Sequence, residues 1–316
     1  MLRLGLCCVF KEEPIRFRTA TATAISKLSR QGQLAKLEAI ALANAESLLQ
    51  SLRYCYAHAI GCFRVNSQIL PLRTHPDVGW AVNDLPNSGA VVTALRRCGA
   101  FAKQNGLRLT FHPDQFVVLG SPNPQVVGNS IAELEYQAEV ASWIGADVIT
   151  IHGGGSYGDK PSALDRWRRN FAHLSKGVRT RIALENDDRV YTPTDLLPVC
   201  QAAKIPLVYD VHHHRCHPDD LDEKEATERA RATWNREPLF HISSPLGGWS
   251  APNARKHDDF IALRDFPPYW STLDITVEVE AKTKEVAIAK LHRALQSRAA
   301  RHSRAKSPRR AKGFAK

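Results

Sequence analysis

A closed (β/α)8 barrel is the fold this sequence predicts, and three observations lead to it. Eight short apolar runs recur along the chain, at residues 2–9, 60–65, 107–111, 148–151, 182–184, 205–209, 239–242 and 273–279. Segments with helical periodicity lie between them, so strand and helix alternate and the sheet should be parallel. The length, 316 residues, suits eight such repeats closed on themselves. A doubly wound open sheet is the alternative, but it gives no reason for the number eight.

The first run, within residues 1–10, is apolar but short. Lys11, Glu12 and Glu13 follow it where a cleavable leader needs small residues, so it reads as a buried strand. Residues 34–52 carry Leu34, Leu37, Ile40, Ala41, Leu48, Leu49 and Leu52 at spacings of three and four, one face of a helix. Further helical segments are expected at residues 91–102, 131–144, 164–174, 195–203, 221–234 and 286–295. Thr192-Pro193-Thr194-Asp195 and His217-Pro218-Asp219-Asp220 have the composition of helix starts.

Hydrophobic residues make up 43% and charged residues 24%, which excludes wholesale disorder. No apolar run approaches the ~18 residues that span a bilayer, and the cytoplasm is the expected compartment. Seven cysteines, an odd number without a Cys-x-x-Cys pair, argue against a disulfide framework or a zinc ribbon. The net charge of +11 is unevenly placed: residues 298–316 hold eight Lys and Arg and no acid, which leaves +3 for the rest. That stretch is poor in large apolar residues, so it is expected to be a disordered basic tail beyond a barrel domain of residues 1–297, adding sequence-independent affinity for phosphates.

The strand ends carry the chemistry, because a barrel of this kind builds its site from the C-terminal ends of its strands. The third run ends in His112, the fourth in His152, the fifth in Glu185 and the sixth in Asp210, followed by His212, His213 and His214. His241 lies in the seventh, and Glu280 closes the eighth on the same side as Glu278. Six consecutive strands ending in His, Asp or Glu converge on the barrel axis, where unpaired carboxylates repel one another and are costly to desolvate. Bound divalent cations resolve that conflict. Imidazole and carboxylate without thiolate suits Mn²⁺, Zn²⁺, Mg²⁺ or Fe²⁺, and so many donors exceed what one ion needs, so two or three ions are expected. Close-set ions are the usual device for phosphoester hydrolysis.

Two other patterns are weaker. Gly153-Gly154-Gly155-Ser156-Tyr157-Gly158 has the spacing of a dinucleotide-binding loop but follows His152 and leads into Asp159-Lys160-Pro161. Its glycines are expected instead to let backbone amides and Lys160 approach a phosphate. Lys160, Arg189, Arg215 and Lys256 lie on loops after strand ends, where they can hold a nucleic-acid backbone. Trp80, Trp143, Trp167, Trp234 and Trp270 read as packing residues, and His212, out of phase with His213, as no ligand.

Across residues 3–282 the chain carries a series of short matches in order: Arg3-Leu4-Gly5-Leu6, Phe63-Arg64-Val65, Leu70-Pro71-Leu72, Thr74-His75-Pro76-Asp77-Val78, His112-Pro113-Asp114-Gln115-Phe116 and Ser121-Pro122. His152-Gly153-Gly154, Tyr157-Gly158-Asp159-Lys160, Leu184-Glu185-Asn186-Asp187-Asp188, Asp210 with His213-His214, His241-Ile242-Ser243-Ser244-Pro245, Lys256-His257-Asp258-Asp259 and Val279-Glu280-Ala281-Lys282 follow. In these it resembles the UV damage endonucleases, metal-dependent (β/α)8-barrel repair enzymes. The resemblance implies hydrolysis of DNA immediately 5′ to cyclobutane pyrimidine dimers and 6-4 photoproducts, on double-stranded DNA, by a monomer using Mn²⁺, with Zn²⁺, Mg²⁺ or Co²⁺ as alternatives. It makes His112, His152, Glu185, Asp210, His213, His241 and Glu280 metal ligands, and His257, Glu185 and Glu280 catalytic. Gln115 and Phe116 become the pair that enters the duplex where a lesion is flipped out, a step cheaper at a poorly stacked lesion. Apart from the resemblance, Tyr157, Lys160, Asn186, Arg215 and Lys256 are expected contacts to DNA or lesion.

Two positions depart from the family. Leu239 stands where a lysine often bridges metal ions in modified form, so either a bridging ligand is lost or a water or another carboxylate, with Asp187 the candidate, substitutes. Leu6 stands where a tyrosine often helps probe the lesion. Two further readings are open: a damage-binding protein with impaired cleavage, which Leu239 makes conceivable, and a sugar isomerase on the same barrel, which the basic tail and Gln115-Phe116 disfavour.

Overall fold

The computed structural model describes residues 1–306, with side chains through residue 301. The elements run β1 (Arg3–Cys7), α1 (Ala22–Ile25), α2 (Arg30–Ala57), β2 (Cys62–Val65), α3 (Ser88–Gln104), β3 (Arg108–Phe111), α4 (Pro124–Ile144) and β4 (Val148–His152). They continue with α5 (Lys160–Ala172), α6 (Lys176–Arg179), β5 (Ile182–Glu185), α7 (Pro193–Ala203), β6 (Leu207–Asp210) and α8 (Val211–Cys216). Then come α9 (Glu223–Ala232), β7 (Leu239–Ile242), β8 (Thr276–Val279) and α10 (Glu285–Lys306). All eight strands pair in sequence order, and β8 pairs in parallel with β1 to close the barrel. Every strand falls on one of the predicted apolar runs.

Alternation along the strands separates two interiors. Leu4, Phe63, Phe111, Ile149, Leu184 and Phe240 point outward into the large core shared with the helices. Their neighbours point to the barrel axis. On one side of the axis Val148, Ala183, Val208 and Leu239 form a separate apolar layer with no solvent exposure. Across from it the filling is polar: Glu278 reaches between Thr110, Cys62 and Arg64. Gly5 makes room for it, since a Cβ there would stand 3.0 Å from Glu278 Cγ and 3.2 Å from Cys62 Cβ. A side chain at that position would overfill the axis.

The helix starts follow local chemistry. Thr192 caps α7 in a reciprocal box with Asp195, as its sequence predicts. Asn123 caps α4, Pro124 opens it, and Gly145 ends it at φ 76°. The expected start at residues 217–220 is displaced, because Asp222 caps α9 instead. Asp219 is engaged elsewhere, accepting from His214 Nε2 at 2.9 Å and from the backbone N–H of Thr194 and of Leu221. Residues 298–306, expected to open the disordered tail, continue α10, whose Ala and Arg residues are good helix formers. The rest of the expected tail lies outside the described residues.

No helix among the described residues is long and apolar enough to cross a membrane. All seven cysteines are free, five of them buried. One repeat is irregular: β7 and β8 are joined without an α-helix, through residues 243–275 with a short 3₁₀ turn at Pro268–Thr272. That long connection lies on the C-terminal face and carries His257.

Candidate metal centre

Glu185, fully buried at the end of β5, is the hub of the barrel mouth. Its Oε2 lies 2.8 Å from His112 Nε2 and 3.8 Å from His152 Nε2. Its Oε1 lies 2.9 Å from His241 Nδ1 and 3.4 Å from His213 Nδ1. His213 stands 3.6 Å from Asp210, His241 stands 3.6 Å from Glu280, and His257 Nδ1 stands 3.8 Å from the other Glu280 oxygen. The structure therefore brings together all eight side chains that the sequence proposed for ligation and catalysis.

Within this constellation His112, His152 and Glu185 offer ligand atoms within 4.8 Å of one another, and so do Glu185, Asp210 and His241. Glu185 belongs to both groups. Two buried donor atoms, His152 Nδ1 and Asp210 Oδ2, have no hydrogen-bond partner among the described residues. Buried polar atoms are rarely left so, and donors of this chemistry fit a divalent cation.

Supporting residues hold the donors in place. Asn186, expected to touch DNA, is instead fully buried and clamps β5 to β6: its amide donates to the Asp210 carbonyl at 2.9 Å and accepts from the Asp210 N–H at 3.0 Å. Asp210 then caps α8 by accepting from the His213 N–H at 2.7 Å. The His212–His214 run is thus helical, which is why neighbouring imidazoles diverge. His213 turns to Glu185, His214 to Tyr209 and Asp219, and His212 to Cys216 and the ring of His257, 5.3 Å away.

Arg64 was not expected at the site, although it lies within one of the matching motifs. It is buried on β2 and points along the axis. Its Nε donates to Glu278 at 2.5 Å, its Nη1 to Glu280 at 2.6 Å, and its Nη2 lies 2.9 Å from His241 Nε2. An arginine in phase with Cys62 on a fully buried strand was the available signal.

The remaining expected residues divide. Gln115 lines a cleft of about 420 Å³ with His152, His213, Asp187 and Arg189. Phe116 is 76% exposed and Tyr157 is 49% exposed, on the loops after β3 and β4. Lys256 is exposed on the β7–β8 connection. Lys160 and Arg215 do not point free into solvent: Lys160 pairs with Asp195 at 2.8 Å, and Arg215 grips Glu223 at 2.6 and 2.8 Å. The loop glycines serve packing, since a Cβ on Gly153 would stand 2.5 Å from the Tyr191 ring and one on Gly154 would stand 2.6 Å from Val118. Asp187, expected to replace a bridging ligand, accepts three backbone N–H groups, from Arg189, Val190 and Tyr191. Leu239 lies in the apolar layer below the donors, and Leu6 is fully buried in the core shared with the helices, so it does not reach the mouth.

The charges are strongly coupled. Burial raises the cost of an ionised Glu185, yet His241, His152 and the bond from His112 hold its carboxyl well below the usual range. Burial and Arg64 act in opposite senses on Glu278, and Arg64 wins, drawing it down to about 2. His213 and His241 are desolvated, but Asp210 and Glu185 outweigh burial, raising His213 well above the ordinary imidazole value and His241 to about 10. Burial dominates at His152, which is lowered.

Two expectations follow from this electrostatics. A raised imidazole is protonated at neutral pH and must lose that proton to ligate. Loading Mn²⁺ into the metal-free protein will release protons, and affinity will rise with pH toward the His241 value of about 10. Calorimetry in buffers of different ionisation enthalpy measures this, and identical heats would refute it. Arg64→Met removes the partner of the buried Glu278 and the partly buried Glu280 and should destabilise by about 3–5 kcal/mol, read from urea unfolding of the metal-free protein.

With this geometry in place, the relatives are informative. The family described as UV-endonuclease UvdE matches residues 2–307. A UV DNA damage endonuclease of Bacillus velezensis (strain DSM 23117 / BGSC 10A6 / LMG 26770 / FZB42) is 35% identical over 301 residues, covering 90% of this chain and 89% of the relative. One from Bacillus thuringiensis subsp. konkukian (strain 97-27) is 34% identical over 291 residues, 89% of both chains. The crystal structure of SacUVDE superposes with a TM-score of 0.85 at 26% identity, over 95% of this chain and 99% of that one. Endonuclease IV from Thermus thermophilus shares the fold at a TM-score of 0.60 and 16% identity, over 95% of this chain and 99% of that one. A barrel mouth lined by this run of imidazoles and carboxylates, and similarity along nearly the whole length, place the chain in the UvdE family of UV endonucleases.

Proposed function

We propose that this chain is a metal-dependent DNA repair endonuclease that hydrolyses the phosphodiester bond immediately 5′ to a UV photoproduct in double-stranded DNA. We assign it to the cytoplasm and to a monomeric state, with the barrel of residues 1–297 as the catalytic unit and the basic segment after it adding phosphate affinity. The observation that carries the reading is the sharing of Glu185 between two donor groups at the floor of an open cleft. A carboxylate with an oxygen toward each group suits two ions, held by His112, His152 and Glu185 on one side and by Glu185, Asp210 and His241 on the other. His213 and Glu280 complete the set. Mn²⁺ is the ion this mixture of imidazole and carboxylate favours. When bound, such ions supply an activated water and a Lewis acid for the departing oxygen.

The protein's own side chains do the rest. Glu185 and Arg64 orient the imidazoles. His257, facing Glu280, is placed to deliver a proton to the departing O3′ oxygen, which leaves a 3′-hydroxyl and a 5′-phosphate. Phe116, 76% exposed, is an apolar ring kept in water at the rim of the cleft, and with Gln115 it fills the space from which a lesion is flipped. Leu239 does not interrupt the donor set, because it lies below it. A sugar isomerase reading rests on the barrel alone.

The test is strand nicking of UV-irradiated and unirradiated duplex with Mn²⁺ and with EDTA. Nicking should require both irradiation and metal. Glu185→Gln should lower it by more than about a hundredfold, the upper range lost when only an outer-shell partner of a metal ligand is removed. Metal analysis of the dialysed protein should give two ions per chain, with both reduced in Glu185→Gln. Nicking without irradiation, or full activity in Glu185→Gln, would overturn the reading.

A further inference from the structure

The connection between β7 and β8 doubles back on itself. Pro245 and His257 pair antiparallel, the Leu246 N–H donates to the Lys256 carbonyl at 2.7 Å, and the Asp258 N–H donates to the Ser244 carbonyl at 2.8 Å. At the tip Gly247 and Gly248 adopt φ 79° and 86°, which only glycine does without strain. This turn leaves Leu246 41% and Trp249 36% exposed.

Trp249 is fixed where it stands. Its indole N–H donates to Asp265 Oδ1 at 2.9 Å, and Asp265 Oδ2 accepts from Ser244 Oγ at 2.6 Å. One side of the ring lies 5.3 Å from His212, centroid to centroid. A pre-positioned aromatic beside an exposed leucine marks a contact surface. Cations stand around the tip: Lys256 is exposed, the Arg215 guanidinium lies 5.7 Å from the Trp249 ring centroid, and exposed Arg264 reaches within 3.9 Å of where a Cβ on Gly248 would sit. Arg255 pairs with Asp188, and Asp258 and Asp259 follow the hairpin. β7 stands four strands from β3 in a barrel of eight, so this tip faces Phe116 across the mouth.

We propose that Leu246 and Trp249 form a second DNA contact, gripping the duplex on the side of the barrel mouth opposite Phe116. This rests on the endonuclease reading. Polyanionic DNA matches the cations around an apolar tip, the exposed part of the ring offers an apolar contact to a base or sugar, and leucine is a side chain that packs into a minor groove. Because Pro245 pairs with His257, the grip also lies within one hairpin of the scissile phosphate.

The experiment is steady-state nicking of UV-irradiated duplex by the Mn²⁺-loaded full chain and its variants. Leu246→Ser changes an exposed side chain and should raise KM about fivefold with kcat within about twofold. Trp249→Ala should raise KM about tenfold, the range that loss of one stacking contact produces, and Trp249→Phe should recover part of it. Unchanged KM in Leu246→Ser and Trp249→Ala overturns this proposal alone. So does a fall in kcat at constant KM, which would make the hairpin a support for His257. Absence of irradiation-dependent nicking by the unmodified chain overturns the endonuclease reading and this proposal with it.

Discussion

Four carboxylates, Glu185, Asp210, Glu278 and Glu280, share the interior of one closed barrel, and none can be hydrated as it would be in water. Isolated ionised groups do not persist in such surroundings. The barrel answers with cations of two kinds. Arg64 carries a permanent charge and binds Glu278 and Glu280 directly. His213 and His241, raised by Asp210 and Glu185, carry charges that can be surrendered.

This division sorts the interior by depth. Below, the Arg64–Glu278 pair is tied to Thr110 and keeps its charge, because a guanidinium does not give up its proton in proteins. Above, His213 and His241 are protonated only while nothing else balances Glu185 and Asp210. The two layers meet at His241, whose Nε2 lies 2.9 Å from Arg64 Nη2 and 3.1 Å from Glu278 Oε2. Asn186 couples the two strands that carry Glu185 and Asp210, so the spacing of the donors is a property of the backbone.

Much of this was legible in the chain. Period-two alternation and eight apolar runs determine the barrel, and each strand-end His, Asp or Glu falls at the mouth because the register admits no other place. Arg64 was not legible from composition, since an arginine in an apolar strand acquires meaning only when Glu278, two strands away around the closed barrel, comes to face it. Lys160 and Arg215 were misread for a related reason: their partners, Asp195 and Glu223, lie on helices whose approach no local pattern encodes. Asn186 and Asp187 looked like site residues by position, but backbone groups claim both side chains. Residues 298–306 have too little apolar surface for a core, yet a helix anchored upstream needs little to extend.

The apolar layer of Val148, Ala183, Val208 and Leu239 closes the barrel beneath the donors on one side, and the Glu278 network closes it on the other. Among the described residues, whatever binds among the imidazoles faces the C-terminal mouth of the barrel. An ion held among the imidazoles would reach bulk water through that mouth, so a polymer lying across it would slow the ion's exchange.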